Sequence, residues 1–310
     1  MHIGEDEANS MAVMGLPELL ADAAKGRYAV GYFESWDIYS LEATIAAAEA
    51  ERSPVIIGIG GLSANHEWLS SVGVELYGAA CAALARRSSV PTGILFNEAE
   101  NFTEAAAALG AGYNSVMMHT QGWSWDRLIA DTAALTAAAH GLGITVEGEV
   151  GALAEMSIDG QIDTSIGAMT EVSQAVDFVK ETGVDYLAVA VGNVHFVTSD
   201  YVPTIRVDRI HEIGESVDVP LVLHGGSGTP ADQMQAAIAA GITKINVGTR
   251  LKHVFGNALR EAVGPDSGND PNLLFGSRLP EDVNTRAGQA LTTEIRRLMQ
   301  VFGSSGKATR

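Results

Sequence analysis

Short apolar runs recur along the chain, each followed by a turn containing glycine or a small polar residue, and then by an alanine-rich stretch with apolar positions at helical spacing. Runs over 28–33, 54–59, 91–97, 113–118, 144–149, 186–190, 220–224 and 242–247 read as strands buried on both faces. Between them, stretches such as 37–52, with Ile38, Leu41 and Ile45 on one face, read as helices. Several helices end on a glycine just before the next strand, at Gly110, Gly143, Gly183 and Gly241, as a left-handed C-terminal cap requires. Eight strands alternating with helices predict an α/β protein, a single (β/α)8 TIM barrel, with one extra C-terminal helix over 283–302. The expected organisation is an N-terminal tail at 1–15, a barrel domain at 16–302 and a disordered C-terminal tail at 303–310. Connections at 150–169 and 192–203 exceed ordinary barrel loops and are candidate lids.

Composition narrows this picture in two ways. With 38 acidic and 19 basic residues the formal charge is -19, which repels nucleic acid and anionic membranes, so neither is an expected partner. Cys81 is the single cysteine, which excludes a disulfide framework, and its alanine-rich helical surroundings predict a core position. The acidic opening Glu5-Asp6-Glu7 is unlike a signal peptide, and no run of about 18 apolar residues appears, so the expected location is cytoplasmic.

In such a barrel the chemistry sits at the C-terminal ends of the strands. The runs 220–224 and 242–247 end in His224-Gly225-Gly226-Ser227-Gly228 and Gly248-Thr249-Arg250. Glycines there let backbone N–H groups approach a ligand, and the positive end of the following helix favours an anion, so a small anionic substrate is expected. His195 and His224 follow neighbouring strands, the sixth and seventh, and point to one divalent metal when carboxylates lie nearby.

The segments Val146-Glu147-Gly148-Glu149-Val150-Gly151, Gly192-Asn193-Val194-His195, His224-Gly225-Gly226-Ser227-Gly228 and Lys244-Ile245-Asn246-Val247-Gly248-Thr249 resemble those of the class II, metal-dependent ketose-bisphosphate aldolases. The resemblance runs nearly end to end, and Gly268-Asn269-Asp270-Pro271 looks like that family's C-terminal element. It implies a zinc ion, or another divalent metal, acting as a Lewis acid on an enediolate, and a homodimer or homotetramer. His195 and His224 correspond to two of the family's three histidine ligands; Gly225, Gly226, Ser227, Asn246, Gly248 and Thr249 match its phosphate and ketose positions.

Departures from the pattern are as informative. Where the family has His-x-Asp-His after the third strand, this chain reads Leu95-Phe96-Asn97-Glu98. Asn97 replaces the acid/base aspartate, and an amide cannot take a proton at neutral pH, which argues against ordinary fructose-bisphosphate aldolase activity. Glu98 stands where the third histidine ligand would be, and His119 stands where the family has an acidic residue, as if imidazole and carboxylate had exchanged places. Glu149 and His119 are therefore candidates for proton transfer or further ligation, Phe196 crowds a position that is glycine in the family, and Arg250 replaces an acidic residue at the anion turn. The expected function is a divergent aldolase-type carbon–carbon lyase acting on a phosphorylated or carboxylated ketose-like substrate through a metal-bound enediolate. An isomerase or epimerase using the same enediolate, and a non-catalytic ligand-binding barrel, are the alternatives.

Overall fold

The computed structural model describes residues 12–62, 64–156, 161–163, 168–197, 201–264 and 270–308. Eight parallel strands close on themselves: β1 (Val30–Ser35), β2 (Val55–Gly60), β3 (Thr92–Ala99), β4 (Ser115–Met118), β5 (Thr145–Val150), β8 (Tyr186–Val189), β10 (Leu221–Leu223) and β11 (Ile242–Val247). The barrel shuts where β1 pairs with β11, Tyr32 opposite Asn246 and Phe33 opposite Val247. The chain is a (β/α)8 barrel, and β11 has the extent expected from its hydrophobic run; β3 runs two residues further than expected, to Ala99.

Outward residues of the strands make one apolar layer beneath the helices, including Phe33, Ile57, Phe96, Val116 and Ile245. Inward residues form a second cluster, Tyr32, Ile56, Leu95, Met117, Tyr186 and Val222, closed from below by helix α1 (Leu16–Gly26). That helix buries Leu16, Leu19, Leu20 and Ala23 at i, i+3, i+4 and i+7, so one stripe plugs the barrel floor. Each leucine removed from water contributes on the order of 2 kcal/mol. Side chains on a strand point alternately to its two faces. Two residues above the apolar inward layer, the same faces therefore carry Glu34 after Tyr32, Asn97 after Leu95, His119 after Met117 and His224 after Val222.

Helices α2 (Ile38–Glu51), α3 (His66–Trp68), α4 (Val74–Arg87), α5 (Phe102–Gly110), α6 (Trp125–His140), α7 (Val172–Thr182), α8 (Val207–Gly214), α9 (Ala231–Ala239) and α10 (Thr249–Ala262) surround the barrel. Asp37 opens α2 with a capping box, accepting from Ser40 N at 2.7 Å while Ser40 Oγ accepts from Asp37 N at 3.0 Å. The stretch His66–Arg87 is apolar enough on average to suggest a membrane span, but a π turn at Leu69–Gly73 interrupts it. Val74, Gly78, Cys81, Ala82 and Ala85 bury its apolar side inside the protein. Cys81 is fully buried, as expected of a core residue.

Beyond the last strand, a short helix α11 (Pro271–Leu274) leads to α12 (Val283–Val301), which packs across α2 and α10 on the outside of the barrel. Residues 303–308, expected as a disordered tail, are instead tied to the end of α2. Ser304 is buried with its Oγ 2.8 Å from that of Ser53; Gly306 N and Ala308 N donate to the Glu51 and Arg52 carbonyls. Small polar residues looked flexible in sequence, yet here their backbone completes the carbonyls left open by a helix end. Residues 12–14 of the expected N-terminal tail likewise pair with Thr92 at the start of β3. Residues 1–11, 268–269 and 309–310 lie outside the described residues.

The two long connections meet each other. β6 (Ala154–Met156) pairs in parallel with β9 (Val194–His195) and antiparallel with β7 (Ile162–Asp163), setting Glu155 opposite His195. This small sheet ties β9, which carries His195, to the connection that follows β5.

Candidate metal and substrate site

Glu98, His195 and His224 converge at the barrel mouth, with one ligand atom from each lying within 4.8 Å of the others. All three are buried. Glu98, next to last in β3, has a φ of 57°, in the left-handed region, where a residue with a Cβ bears roughly 1–2 kcal/mol of strain. Its two oxygens have different duties. Oε2 accepts from Asn97 Nδ2 at 2.7 Å, whereas Oε1 is buried without a hydrogen-bond partner, 3.6 Å from His224 Nδ1. His195 Nδ1 is also buried and unpartnered, and its ring stacks 5.6 Å from that of His224.

On the other side of His224, Nε2 meets Glu147 Oε1 at 2.7 Å, and Glu147 Oε2 accepts from Lys244 Nζ at 2.6 Å. Lys244 is fully buried, with Nζ 5.2 Å from the Tyr32 ring centroid and 5.9 Å from that of Tyr186. A carboxylate holding one imidazole nitrogen fixes the ring so that the other faces a metal. Asn246 Nδ2 lies 3.0 Å from the same Nε2 and 3.4 Å from Asn97 Oδ1.

Burial and neighbouring charge pull the groups of this cluster in opposite directions. Burial would lower the His224 imidazole, but its hydrogen bond to Glu147 and the nearby Glu98 carboxylate lift it to about 10. Burial would raise the Glu98 carboxyl, but the neighbouring His224, with the His195 and His119 charges, brings it to about 2. Burial drives His195 down to about 4 against the attraction of Glu98. A protonated His224 between two carboxylates thus stands in for positive charge, and a divalent ion binding there would release that proton. Two imidazoles, one carboxylate and two unsatisfied buried ligand atoms fit a zinc-like ion.

Around this triad the other expected residues take varied places. Asn97 is hydrogen-bonded to Glu98 and Asn246 and holds the Glu98 carboxylate in position. Glu149 is buried on β5 with Oε1 unpartnered; burial pushes its carboxyl up to about 7, Glu98, Glu147 and Glu155 adding to the rise and His224 opposing it. His119 donates its backbone N–H to Ala99 O at 2.8 Å and leaves Nδ1 buried and unpartnered. A cleft lies over the triad, lined by Gly225, Ser227, Asn246, Gly248 and Thr249 among others. Phe196 stands at its edge at φ 55°, a backbone conformation natural to glycine, with its ring edge-on to His195.

The model of class II fructose-bisphosphate aldolases matches residues 15–307. The chain belongs to the class II fructose-bisphosphate aldolase family. It is 31% identical over 303 residues to a fructose-bisphosphate aldolase of Geobacillus stearothermophilus, covering 97% of this chain and 100% of that one. It is 30% identical over 299 residues to a sulfofructosephosphate aldolase of Alkalicoccus urumqiensis, covering 96% and 99%. Among solved structures, the YdjI aldolase of Escherichia coli K12 superposes with a TM-score of 0.79 at 28% identity, over 96% of this chain and 100% of that one.

For a class II aldolase chain, three placements depart from the sequence-based expectation. Arg250 does not reach the anion turn: its guanidinium is ion-paired with Glu294 of α12, beside Arg297. That carboxylate comes from 44 residues away, so nothing local announces it. Gly226 does not offer its N–H to a ligand, because it donates to Asn246 O at 3.0 Å and ties the two turns together. Gly248 N is also engaged: it and Arg250 N both donate to Ser227 Oγ at 3.2 Å. Conversely, sequence reasoning assigned no role to Lys244 and singled out Glu147 only as one of the residues at the strand ends. Their signal was there in the period-two spacing Glu147/Glu149 and Lys244/Asn246, which puts both members of each pair on one face of a strand.

Proposed function

We propose that this aldolase-family chain is a metal-dependent carbon–carbon lyase acting on a ketose-like compound, phosphorylated or carboxylated, by way of an enediolate. The observation that carries the reading is the convergence of two buried, unsatisfied ligand atoms, Glu98 Oε1 and His195 Nδ1, beside His224. Glu98, His195 and His224 would hold the ion, which supplies Lewis-acid stabilisation of the negative charge that develops on the substrate.

The remaining chemistry falls to the chain's own groups. Asn97 and Lys244–Glu147 orient two of the ligands, so the geometry is set before substrate arrives. Glu149, with its carboxyl at about 7, is suited to take the hydroxyl proton from the carbon that leaves as an aldehyde; the bonding pair passes to the neighbouring carbon, which is then reprotonated to give a ketone. The amide of Asn97 cannot perform that transfer and hydrogen-bonds a hydroxyl instead. That same amide gives an isomerase or epimerase its specific support, since such chemistry needs no proton taken from a cleaved alcohol.

The test is to load the protein with zinc and incubate it with phosphorylated ketoses and 2-keto acids in deuterated buffer. Appearance of aldehyde and ketone fragments supports the lyase. Deuterium exchange or epimer formation without fragments supports the second reading, and neither, in protein with full metal content, rejects both.

A further inference from the structure

The anion turn at the head of α10 is already filled by the protein's own charge. Glu34, at the end of β1, lays its carboxyl group over two bare backbones: a Cβ at Gly60 would come within 2.9 Å of its carboxyl carbon, and one at Gly248 within 2.5 Å of Oε2. Oε1 accepts from Lys252 Nζ, in the first turn of α10, at 2.5 Å. Beside it, the Gly248 and Arg250 amides are given to Ser227 Oγ, and the Arg250 guanidinium is turned to Glu294. Among the described residues, those lining the cleft include Glu34 and Glu98 and neither lysine nor arginine. Its unpartnered polar atoms include a buried acceptor, Asn246 Oδ1, and a hydroxyl, Tyr32 Oη. A ligand that brings hydrogen-bond donors finds acceptors in this half of the cleft, and a negative charge there meets a carboxylate at close range.

We propose that Glu34 is a specificity-determining residue that refuses a phosphate at the β1–β11 side of the mouth and accepts hydrogen bonds from the hydroxyls of an uncharged polyol end. This narrows the substrate of the lyase reading and rests on it for the word ketose; a substrate charged at both ends is excluded. The charged group lies away from Glu34, and the neutral end lies against it.

Two titrations test this, each with wild-type protein as reference. Inorganic phosphate is titrated into zinc-free protein by calorimetry, which needs no metal chemistry. Glu34→Gln, nearly identical in shape, is expected to bind phosphate about tenfold tighter or more. The double variant Glu34→Gln with Lys252→Gln is expected to stay tighter than wild type. Unchanged phosphate binding in the single variant, or a return to wild type in the double, which assigns the gain to Lys252, overturns the proposal. Dihydroxyacetone, an uncharged hydroxylated probe, is then titrated into zinc-loaded protein. Glu34→Leu should weaken it about tenfold and Glu34→Gln, which keeps an acceptor, should not; equal binding by Glu34→Leu and wild type overturns the hydrogen-bonding half. Failure to take up zinc would defeat the lyase reading while leaving the phosphate titration decisive for Glu34.

Discussion

Replacing Lys244 by methionine leaves the Glu147 carboxylate inside the barrel without its cation. Neither side chain has any exposed surface, and they meet at 2.6 Å, so water cannot take over the lost charge. Removing one partner of such a pair costs about 3–5 kcal/mol, because the survivor remains buried and uncompensated. The Lys244 contacts to the Tyr32 and Tyr186 rings add a smaller loss. The effect should travel one step further. Glu147 also holds His224 Nε2, so a carboxyl group that escapes burial by protonating no longer fixes that ring, and zinc affinity should fall about 10- to 100-fold. Urea unfolding of zinc-free protein reads the first effect and zinc titration the second. A double variant separates them: Lys244→Met with Glu147→Leu should recover much of the stability, since an apolar pair replaces an ionic one, while zinc binding stays weak. If Lys244→Met is within about 1 kcal/mol of wild type and binds zinc equally well, the buried chain does not position His224.

Asn97→Leu removes the donor to Glu98 Oε2 and is expected to weaken zinc binding about tenfold with the fold intact by circular dichroism; undiminished affinity would assign Asn97 no positioning role. Glu149 sets a pH dependence in the zinc-free protein. Its folded carboxyl titrates near 7 against an ordinary value of 4.5, so the folded state binds the proton more tightly. That contribution to stability is complete below 4.5 and is lost as pH rises through about 7. Glu149→Gln should therefore flatten the fall in stability between those two values, seen as a smaller change in urea midpoint, and an unaltered slope would contradict the assignment.

Much of the barrel was legible because its strands are buried on both faces, and Ile242–Val247 reads as an uninterrupted run between a glycine and a glycine. The triad was legible as well, since strand ends around a barrel mouth must face one another. Lys244 was not: a lysine inside an apolar run reads as a side chain reaching for solvent, and only the distant Glu147 makes its burial tolerable. Arg250 misled for the matching reason, because Glu294 lies on a helix added after the barrel is complete. The pairing of β6 with β9 was hidden too, since short strands within loops take their partners from tertiary packing. At 303–308, small polar residues signalled disorder, while the carbonyls they satisfy belong to a helix some 250 residues earlier in the chain.

The central claim is that Glu98, His195 and His224 hold one divalent ion. Zinc titration of the intact chain and of Glu98→Ala, His195→Ala and His224→Ala, with elemental analysis of the dialysed products, addresses it directly. One tightly held zinc per chain, with each substitution weakening it by at least about a hundredfold, is the predicted result. Zinc-free wild-type protein after loading, or three variants that retain the metal as wild type does, would contradict it.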